Sequence, residues 1–214
     1  MSQYASDSFA ELNHGRGVGL PTGQNAAPTQ PRNAVAEGPG GAYRGLVRVV
    51  MLGGAPGVGK STVARHLLEL AATGTDLVQW VDVDDLWHHQ PWRVNEQMTA
   101  MVTANLRAVA DHAAMAGVDI LVITWVFQSA EMHRLVTAVL PPASTTVSVQ
   151  LRAERDTWRR RFEADPKRPS VDTFYLGRYT AAQTTPADHV VNTDGLSPIE
   201  VGRRVADIIV LKPA

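Results

Sequence analysis

The clearest chemical signal in the sequence is a glycine-rich run, Gly54-Ala55-Pro56-Gly57-Val58-Gly59-Lys60-Ser61-Thr62. It fits the pattern G-x-x-x-x-G-K-[ST]. Glycines allow the backbone to curl so that successive N–H groups surround an anion, and a helix that begins there adds partial positive charge. In this pattern the lysine, here Lys60, reaches the β- and γ-phosphates, and the hydroxyl of Ser61 is a ligand for Mg²⁺. The run therefore predicts a phosphate loop that binds ATP and Mg²⁺.

Carboxylates follow the next apolar stretch, in Asp82-Val83-Asp84-Asp85-Leu86-Trp87-His88. An alternating strand over residues 77–84 would place Asp82 and Asp84 on one face, because their spacing is two. Ligands of an open α/β sheet sit at the carboxyl ends of its strands, so both carboxylates would lie near the γ-phosphate. A carboxylate there can accept the proton of an acceptor hydroxyl, and it can also hold Mg²⁺ through water. Solvated carboxylates at a strand end are the alternative. We expect Asp84 to be the catalytic base and Asp82, Asp85 and His88 to contact the acceptor.

Arginines are concentrated farther along the chain. Seven of the 17 Arg lie between residues 152 and 178. Because phosphoryl transfer spreads charge over three equatorial oxygens, a mobile arginine lid could close over the phosphates and stabilise that charge. A solvated helix with acidic partners is the alternative for most of these side chains. We expect Arg161 and Arg168 to act in catalysis, and Arg93 is a candidate for contacting an acidic acceptor.

Alternating strand and helix patterns supply the frame for these residues. Strands are predicted at 46–52, 77–84, 119–127, 145–151 and 189–192, and helices at 60–72, 95–116, 129–140, 152–164, 172–184 and from 197 onward. The solution for such a pattern is a parallel sheet with helices on both faces. We therefore predict an α/β, three-layer P-loop NTPase fold with a five-stranded parallel sheet and an Arg-rich lid. The third strand ends Ile123-Thr124-Trp125-Val126 without an acid, so a second protein anchor for the metal is not identified.

The first part of the chain differs from the rest. Residues 1–44 are rich in Gly, Pro and small polar residues, and their apolar residues follow no period. Such a segment buries too little apolar surface to offset the entropy of ordering it. We predict a disordered Gly/Pro-rich tail over 1–44 and one nucleotide-binding domain over 45–214.

Composition excludes several classes of protein. The chain has 214 residues and a net charge of −1, which argues against a protein that coats nucleic acid or an anionic membrane. The absence of Cys excludes a disulfide scaffold, a thiolate metal site and a Cys nucleophile. No apolar run approaches the roughly 18 residues of a membrane span, and no secretory signal pattern is visible. We expect a cytoplasmic protein.

Other motifs narrow the kind of phosphate-loop protein. Lys167 and Lys212 are the only Lys besides Lys60, and neither lies in a guanine-reading N-K-x-D sequence. The D-x-x-G switch of GTPases and the L-S-G-G-Q signature of ABC proteins are also missing. Small phosphotransferases are the main class that remains.

Over about residues 46–211, the sequence resembles the small P-loop kinases of the shikimate kinase, gluconate kinase and chloramphenicol phosphotransferase type. The loop GAPGVGKST matches the group. The stretch from Asp82 to His88 looks like the D-x-D…L-H of gluconate kinases. Val83-Asp84-Asp85-Leu86 looks like the V-D-x-L of chloramphenicol phosphotransferase, whose proposed base maps onto Asp84.

Three further segments carry the resemblance. Lys167-Arg168-Pro169 is similar to part of a shikimate kinase lid, and Arg178 resembles the substrate-binding arginine of that family. Asn192-Thr193-Asp194-Gly195 looks like the turn that lies along the adenine, which implies that Asn192 contacts the nucleotide. The full substrate signatures of shikimate kinase and gluconate kinase are not met. The resemblance therefore implies the reaction class and leaves the acceptor open.

We expect a kinase domain that moves the γ-phosphate of ATP to a hydroxyl of a small molecule, such as an antibiotic, sugar acid, nucleoside or similar metabolite. The alternative is a regulatory ATP-binding module or weak ATPase without such an acceptor. A nucleic-acid-end or nucleotide kinase is a third possibility that the near-neutral charge disfavours. Three tryptophans, Trp87, Trp92 and Trp125, either stack on a planar acceptor or fill the core. The sequence does not give the oligomeric state.

Overall fold

The computed structural model describes residues 47–142 and 144–212, and the predicted tail over 1–44 lies outside them. Strands and helices alternate along these residues. The strands are β1 Arg48–Gly54, β2 Val78–Asp82, β3 Ile120–Thr124, β4 Thr145–Arg152 and β5 His189–Asn192. The helices are α1 Lys60–Ala71, α2 Glu96–Ala116, α3 Ala130–Thr137, α4 Arg155–Glu163, α5 Thr173–Thr184 and α6 Pro198–Ile208. A short 3₁₀ helix, Val83–Leu86, follows β2.

The five strands form one parallel sheet in the order β2-β3-β1-β4-β5. Apolar side chains of β1 alternate between its two faces, because successive residues of a strand point in opposite directions. Val49 and Met51 pack in a core with α2 and α3, whereas Val50 and Leu52 pack in a second core with α1, α4, α5 and α6. These three layers confirm the predicted fold class.

Local sequence signals account for two helix ends, and both agree with the predicted ranges 95–116 and from 197 onward. Gly117 ends α2 in a left-handed conformation with φ 76°, which glycine adopts without a steric penalty. Ser197 and Glu200 form a reciprocal capping box at the start of α6, with Pro198 in the first turn. Both signals therefore report the local backbone correctly.

The predicted boundaries around the acidic segment are wrong. β2 ends at Asp82, and Asp84 lies in the 3₁₀ helix. The prediction that Asp82 and Asp84 share one strand face is therefore incorrect. The Asp82 side chain accepts a hydrogen bond of 3.1 Å from the Asp84 backbone N–H, and such local bonds compete with continuation of a strand.

Other elements also differ from their predicted lengths. β4 extends to Arg152 and α4 begins only at Arg155, so the basic helix is shorter than predicted. β3 and α3 are shorter as well. Among the described residues, no helix is both long enough and apolar enough to cross a membrane.

Candidate active site

The glycine-rich run forms a tight loop between β1 and α1. Gly57 and Gly59 have φ angles of 82° and 113°, a region that glycine reaches without a steric penalty. Among the described residues, no side chain caps the N-terminus of α1, where Gly59 is the N-cap. The first N–H groups of this helix can therefore bind an anion. Ala55, Pro56 and Val58 complete the loop before Lys60.

Lys60 folds back onto the loop that precedes it. Its Nζ donates hydrogen bonds of 2.8 Å to the carbonyl of Gly54 and 3.2 Å to that of Ala55. Burial lowers the pKa of the amine from 10.5 to about 8. A lysine whose charge is this poorly solvated gains from an anionic ligand, because the ligand replaces the lost hydration.

Four charged side chains lie close enough to influence Lys60. The carboxylates of Asp82 and Asp84 raise its pKa, and the guanidinium groups of Arg168 and Arg178 lower it, although burial is the largest effect. All four were singled out from the sequence. The fold therefore brings the predicted loop lysine, two of the three predicted carboxylates and two predicted arginines into one site.

Asp82 lies beside the hydroxyl of Ser61, the first residue after the loop lysine. Ser61 Oγ lies 3.5 Å from Asp82 Oδ2, and the Thr124 hydroxyl donates to the same oxygen at 2.9 Å. Among the described residues, no three His, Asp or Glu side chains cluster as a metal site. Mg²⁺ needs only one or two protein oxygens and otherwise keeps its waters, so the hydroxyl of Ser61 and the carboxylate of Asp82 fit it. Thr62, in the first turn of α1, is half-buried.

Asp84 is held at the end of β3. The indole Nε1 of Trp125 donates a hydrogen bond of 3.2 Å to Asp84 Oδ1. Asp84 is half-buried, whereas Asp85 and His88 are exposed and 3.9 Å apart. The structure thus separates one enclosed carboxylate from its exposed neighbour in sequence.

The three tryptophans that could stack on an acceptor or fill the core differ in their burial. Trp87 and Trp125 are each 1% exposed and belong to the core. Trp92 is half-buried and stacks on His89, with ring centroids 4.7 Å apart. The side chain of Arg93 is exposed, and its backbone N–H and C=O lie 3.2 Å and 3.1 Å from His89 Nε2.

The basic helix α4 is attached to the phosphate loop by aromatic side chains. Trp158 Nε1 donates a hydrogen bond of 2.7 Å to the carbonyl of Pro56. A Cβ added to Gly57 would lie 3.1 Å from the Phe162 ring and 2.5 Å from Arg168 Nη1. Arg168 therefore lies directly against the loop, where an ion pair of 3.0 Å with Asp165 orients it.

The side chains of Arg161 and Asn192 both contact the turn that follows β5. The two terminal nitrogens of Arg161 donate to Thr193, at 2.7 Å to its hydroxyl and 3.0 Å to its carbonyl. Asn192 is exposed at the end of β5, and its Oδ1 accepts from the Asp194 N–H at 3.0 Å. In this structure Arg161 secures the turn after β5, and its predicted contact with the phosphates stays a prediction.

Arg178, on helix α5, is buried, with 3% of its surface exposed. Its Nη1 donates to Gln128 Oε1 at 3.4 Å, and its guanidinium lies 4.6 Å from the Phe174 ring centroid. A buried guanidinium at this edge of the sheet provides a fixed positive charge beside Lys60.

Sequence comparison places this arrangement in a known family. A family model described as an AAA domain matches residues 50–180, more than half of the chain. The chain belongs to this AAA domain family. No curated protein sequence matches the chain significantly.

Solved structures share the fold of this AAA domain. The tunicamycin resistance protein of Deinococcus radiodurans has a TM-score of 0.57 at 16% identity, covering 78% of this chain and 98% of that one. A sugar kinase from a Janibacter species gives 0.57 at 15% identity, over 76% and 94%. The APS kinase of Mycobacterium tuberculosis, in complex with AMPPNP and APS, gives 0.52 at 22% identity, over 77% and 98%. The small P-loop kinase resemblance of the sequence therefore holds at the level of the fold.

Sequence reasoning missed four side chains that build the site of this AAA domain. Trp80 donates a hydrogen bond to Thr124, and Thr124 donates one to Asp82. Trp158 and Phe162 contact the phosphate loop. The aromatic positions of α4 carried a signal, because residues 158 and 162 are four apart and share one helix face. Thr124 carried none, since a threonine in a buried strand is ordinarily read as a core residue.

Proposed function

We propose that the protein is an ATP-dependent phosphotransferase that moves the γ-phosphate of ATP to a hydroxyl of a small molecule. The observation that carries this proposal is the placement of two carboxylates opposite the phosphate loop. Asp82 faces Ser61 at 3.5 Å, and Asp84 is close enough to alter the pKa of Lys60. A site built only to hold a nucleotide would not need a half-buried carboxylate fastened by Trp125.

The nucleotide phosphates would bind to the loop amides and the N-terminus of α1. Lys60 would leave the carbonyls of Gly54 and Ala55 and reach the β- and γ-phosphates. Arg168, already against Gly57, would add a second positive charge. These groups stabilise the charge that develops on the transferring phosphoryl group.

Ser61 and Asp82 would hold Mg²⁺, so we assign Asp82 to the metal instead of to the acceptor contact expected from the sequence. Bound Mg²⁺ would supply positive charge that neutralises the phosphate oxygens. The acidic anchor then comes from the end of β2, and no acid is needed at the end of β3.

Asp84 would act as the general base. As the acceptor oxygen attacks the γ-phosphorus, Asp84 takes the hydroxyl proton, and the bond between the γ-phosphorus and the bridging oxygen of ADP breaks. A positioned base contributes about 10²–10⁴-fold to the rate. Trp125 holds the carboxylate in place, and the buried Arg178 adds positive charge near Lys60.

The solved structures of similar fold support a small-molecule acceptor. They include a sugar kinase and an APS kinase that holds AMPPNP and APS, besides a tunicamycin resistance protein. The small molecules in the names of these proteins differ widely. The comparison therefore favours phosphoryl transfer as the reaction class and does not favour one acceptor.

The test is to incubate the protein with γ-labelled ATP, Mg²⁺ and a panel of hydroxyl compounds that includes sugar acids, nucleosides and antibiotics. We expect label in one organic product, and no transfer by the Lys60→Ala variant. Label released only as inorganic phosphate, with every acceptor, would support the weak ATPase instead. Absence of any ATP binding by the wild-type protein would overturn both readings.

A further inference from the structure

We propose that Thr124, oriented by Trp80, is a positioning residue that fixes the Asp82 carboxylate on the metal side of the phosphate loop. The inference rests on the proposed function, because that proposal assigns Asp82 to Mg²⁺. In this proposal β3 contributes the Thr124 hydroxyl, which orients Asp82, where an acidic residue at the end of β3 could have bound the metal.

The three side chains form a continuous hydrogen-bond chain. Trp80 Nε1 and Thr124 Oγ1 are 2.9 Å apart, and Thr124 Oγ1 and Asp82 Oδ2 are also 2.9 Å apart. Asp82 and Thr124 are partners in the register of β2 and β3. Thr124 is fully buried, so water does not compete for its hydroxyl.

The direction of this chain is fixed by chemistry. An indole N–H can only donate, so the Thr124 oxygen accepts from Trp80. The single hydroxyl proton then has two acceptors in reach, the Asp82 carboxylate at 2.9 Å and the carbonyl of Val81 at 3.5 Å. The shorter and charged acceptor wins, because hydrogen bonds to ionised groups are about twice as strong as neutral ones.

Both oxygens of Asp82 are therefore held. Oδ1 accepts from the Asp84 N–H at 3.1 Å, and Oδ2 accepts from Thr124. Oδ2 is also the oxygen that lies 3.5 Å from Ser61 Oγ. Because a carboxylate oxygen has a further lone pair, Oδ2 can accept from Thr124 and still face a cation or its water.

Such a fixed carboxylate matters for Mg²⁺ in particular. Mg²⁺ demands near-ideal octahedral geometry and takes few protein ligands, so the direction of one carboxylate affects its binding strongly. Residues that orient a metal ligand typically account for about 10–100-fold in metal affinity. Thr124, the last residue of β3, fixes the direction of the Asp82 carboxylate. The end of β3 carries no acidic residue of its own.

The test measures Mg²⁺ dependence without any acceptor or turnover. AMPPNP binding is titrated with Mg²⁺ for the wild type and for Thr124→Val, Thr124→Ser and Trp80→Phe. We expect Thr124→Val to raise the half-saturating Mg²⁺ concentration at least about 10-fold, while AMPPNP binding in the presence of EDTA is unchanged. Thr124→Ser keeps the hydroxyl and should behave as wild type. Trp80→Phe removes only the orienting donor, so its shift should have the same direction and be smaller.

Asp82→Asn serves as the reference for losing the carboxylate charge. If Asp82→Asn abolishes the Mg²⁺ effect and a folded Thr124→Val protein keeps it, the role of Thr124 is refuted and the proposed function survives. If the wild type shows no Mg²⁺ effect and Asp82→Asn changes nothing, the metal assignment itself fails.

Thr124→Val can destabilise the fold, because it leaves the indole N–H of the half-buried Trp80 without its acceptor. The double variant Thr124→Val/Trp80→Phe removes both partners and avoids this cost. It should show the full Mg²⁺ shift of Thr124→Val. Adding Thr124→Val to Asp82→Asn should cause no further shift, since the residue acts through Asp82; an additive shift would contradict the positioning role.

Discussion

The indole Nε1 of Trp158 donates a hydrogen bond of 2.7 Å to the carbonyl oxygen of Pro56, which fastens helix α4 directly to the phosphate loop. Trp158 is fully buried and Pro56 is half-buried, so the bond is shielded from water on the side of the indole. In Trp158→Phe the Pro56 carbonyl loses its donor, which should lower the free energy of unfolding by about 1–3 kcal/mol. Urea unfolding measures this loss.

The same variant should also bind nucleotide more weakly, because the loop is no longer held in one conformation. Titration with AMPPNP at a temperature where the variant is folded measures the effect. A Trp158→Phe protein that loses stability but keeps the wild-type nucleotide affinity would show that the anchor serves the fold alone.

Nucleotide binding should depend on the protonation of Lys60. Its pKa in the unliganded protein is lowered to about 8 by burial, and only the ammonium form attracts phosphates. Affinity should therefore be highest below pH 8 and should fall above it, by at most about tenfold per pH unit. Binding near pH 8 should take up protons, which calorimetry in two buffers detects.

The Lys60→Ala variant is the control for this pH dependence. Its weaker affinity should lack the fall that begins near pH 8 in the wild type. In the absence of nucleotide the sign reverses. The folded pKa lies below the ordinary 10.5, so the Lys60 contribution to stability rises with pH between about 8 and 10.5. Identical pH profiles for the two proteins would exclude Lys60 as the responsible group.

Arg161 and Arg159 provide a matched pair on one helix. Arg161 donates two hydrogen bonds to Thr193, which is 2% exposed, whereas Arg159 forms an exposed ion pair with Glu163. Replacing Arg161 by Ala should cost roughly 1–3 kcal/mol, since the Thr193 carbonyl loses a charged donor. Replacing Arg159 by Ala should change stability by less than about 1 kcal/mol. Equal losses in chemical unfolding would argue against a distinct role for Arg161.

Two helical glycines should respond to alanine in opposite directions. A Cβ added to Gly202 of α6 would lie 2.9 Å from the Cβ of His66 on α1, whereas a Cβ at Gly177 of α5 would meet no atom within 4 Å. Gly177→Ala should stabilise the protein by about 0.5–1 kcal/mol. Gly202→Ala should destabilise it by about 1–3 kcal/mol through overpacking. Thermal unfolding of both variants decides the matter, and destabilisation by Gly177→Ala would contradict the packing seen around α5.

The fold could be predicted because its signals are local and repeated. In the part of the chain that the structure describes, local sequence patterns identify the five strands and the six α-helices, but not the short 3₁₀ helix Val83–Leu86. Because strands alternate with helices, a parallel sheet follows. The boundaries were less accurate where side chains bind the backbone. Asp82 turns the chain at the end of β2 by accepting from the Asp84 N–H, and the sequence alone does not reveal whether such a bond forms.

The contacts that orient the site could not be predicted, because they join residues far apart in the chain. Trp125 reaches Asp84 across 41 positions, and Trp158 reaches Pro56 across 102. Neither pair has a spacing that a periodic pattern reports. Arg161 shows the same limit, since a helical arginine near a lid can face the phosphates or, as here, the turn at Thr193.

The role of Asp84 as the general base is tested most directly by comparing Asp84→Asn with Asp85→Asn. Both changes remove one carboxylate charge from the same short helix, but Asp84 is half-buried beside Trp125 and Asp85 is exposed. With an acceptor found in the labelled-ATP screen, Asp84→Asn should lower turnover at saturating acceptor at least about 100-fold while ATP still binds. Asp85→Asn should lower this turnover far less, because losing an exposed contact with the acceptor weakens acceptor binding and not proton removal. Unchanged turnover in a folded Asp84→Asn protein would contradict the proposed base and with it the catalytic role of this edge of the sheet.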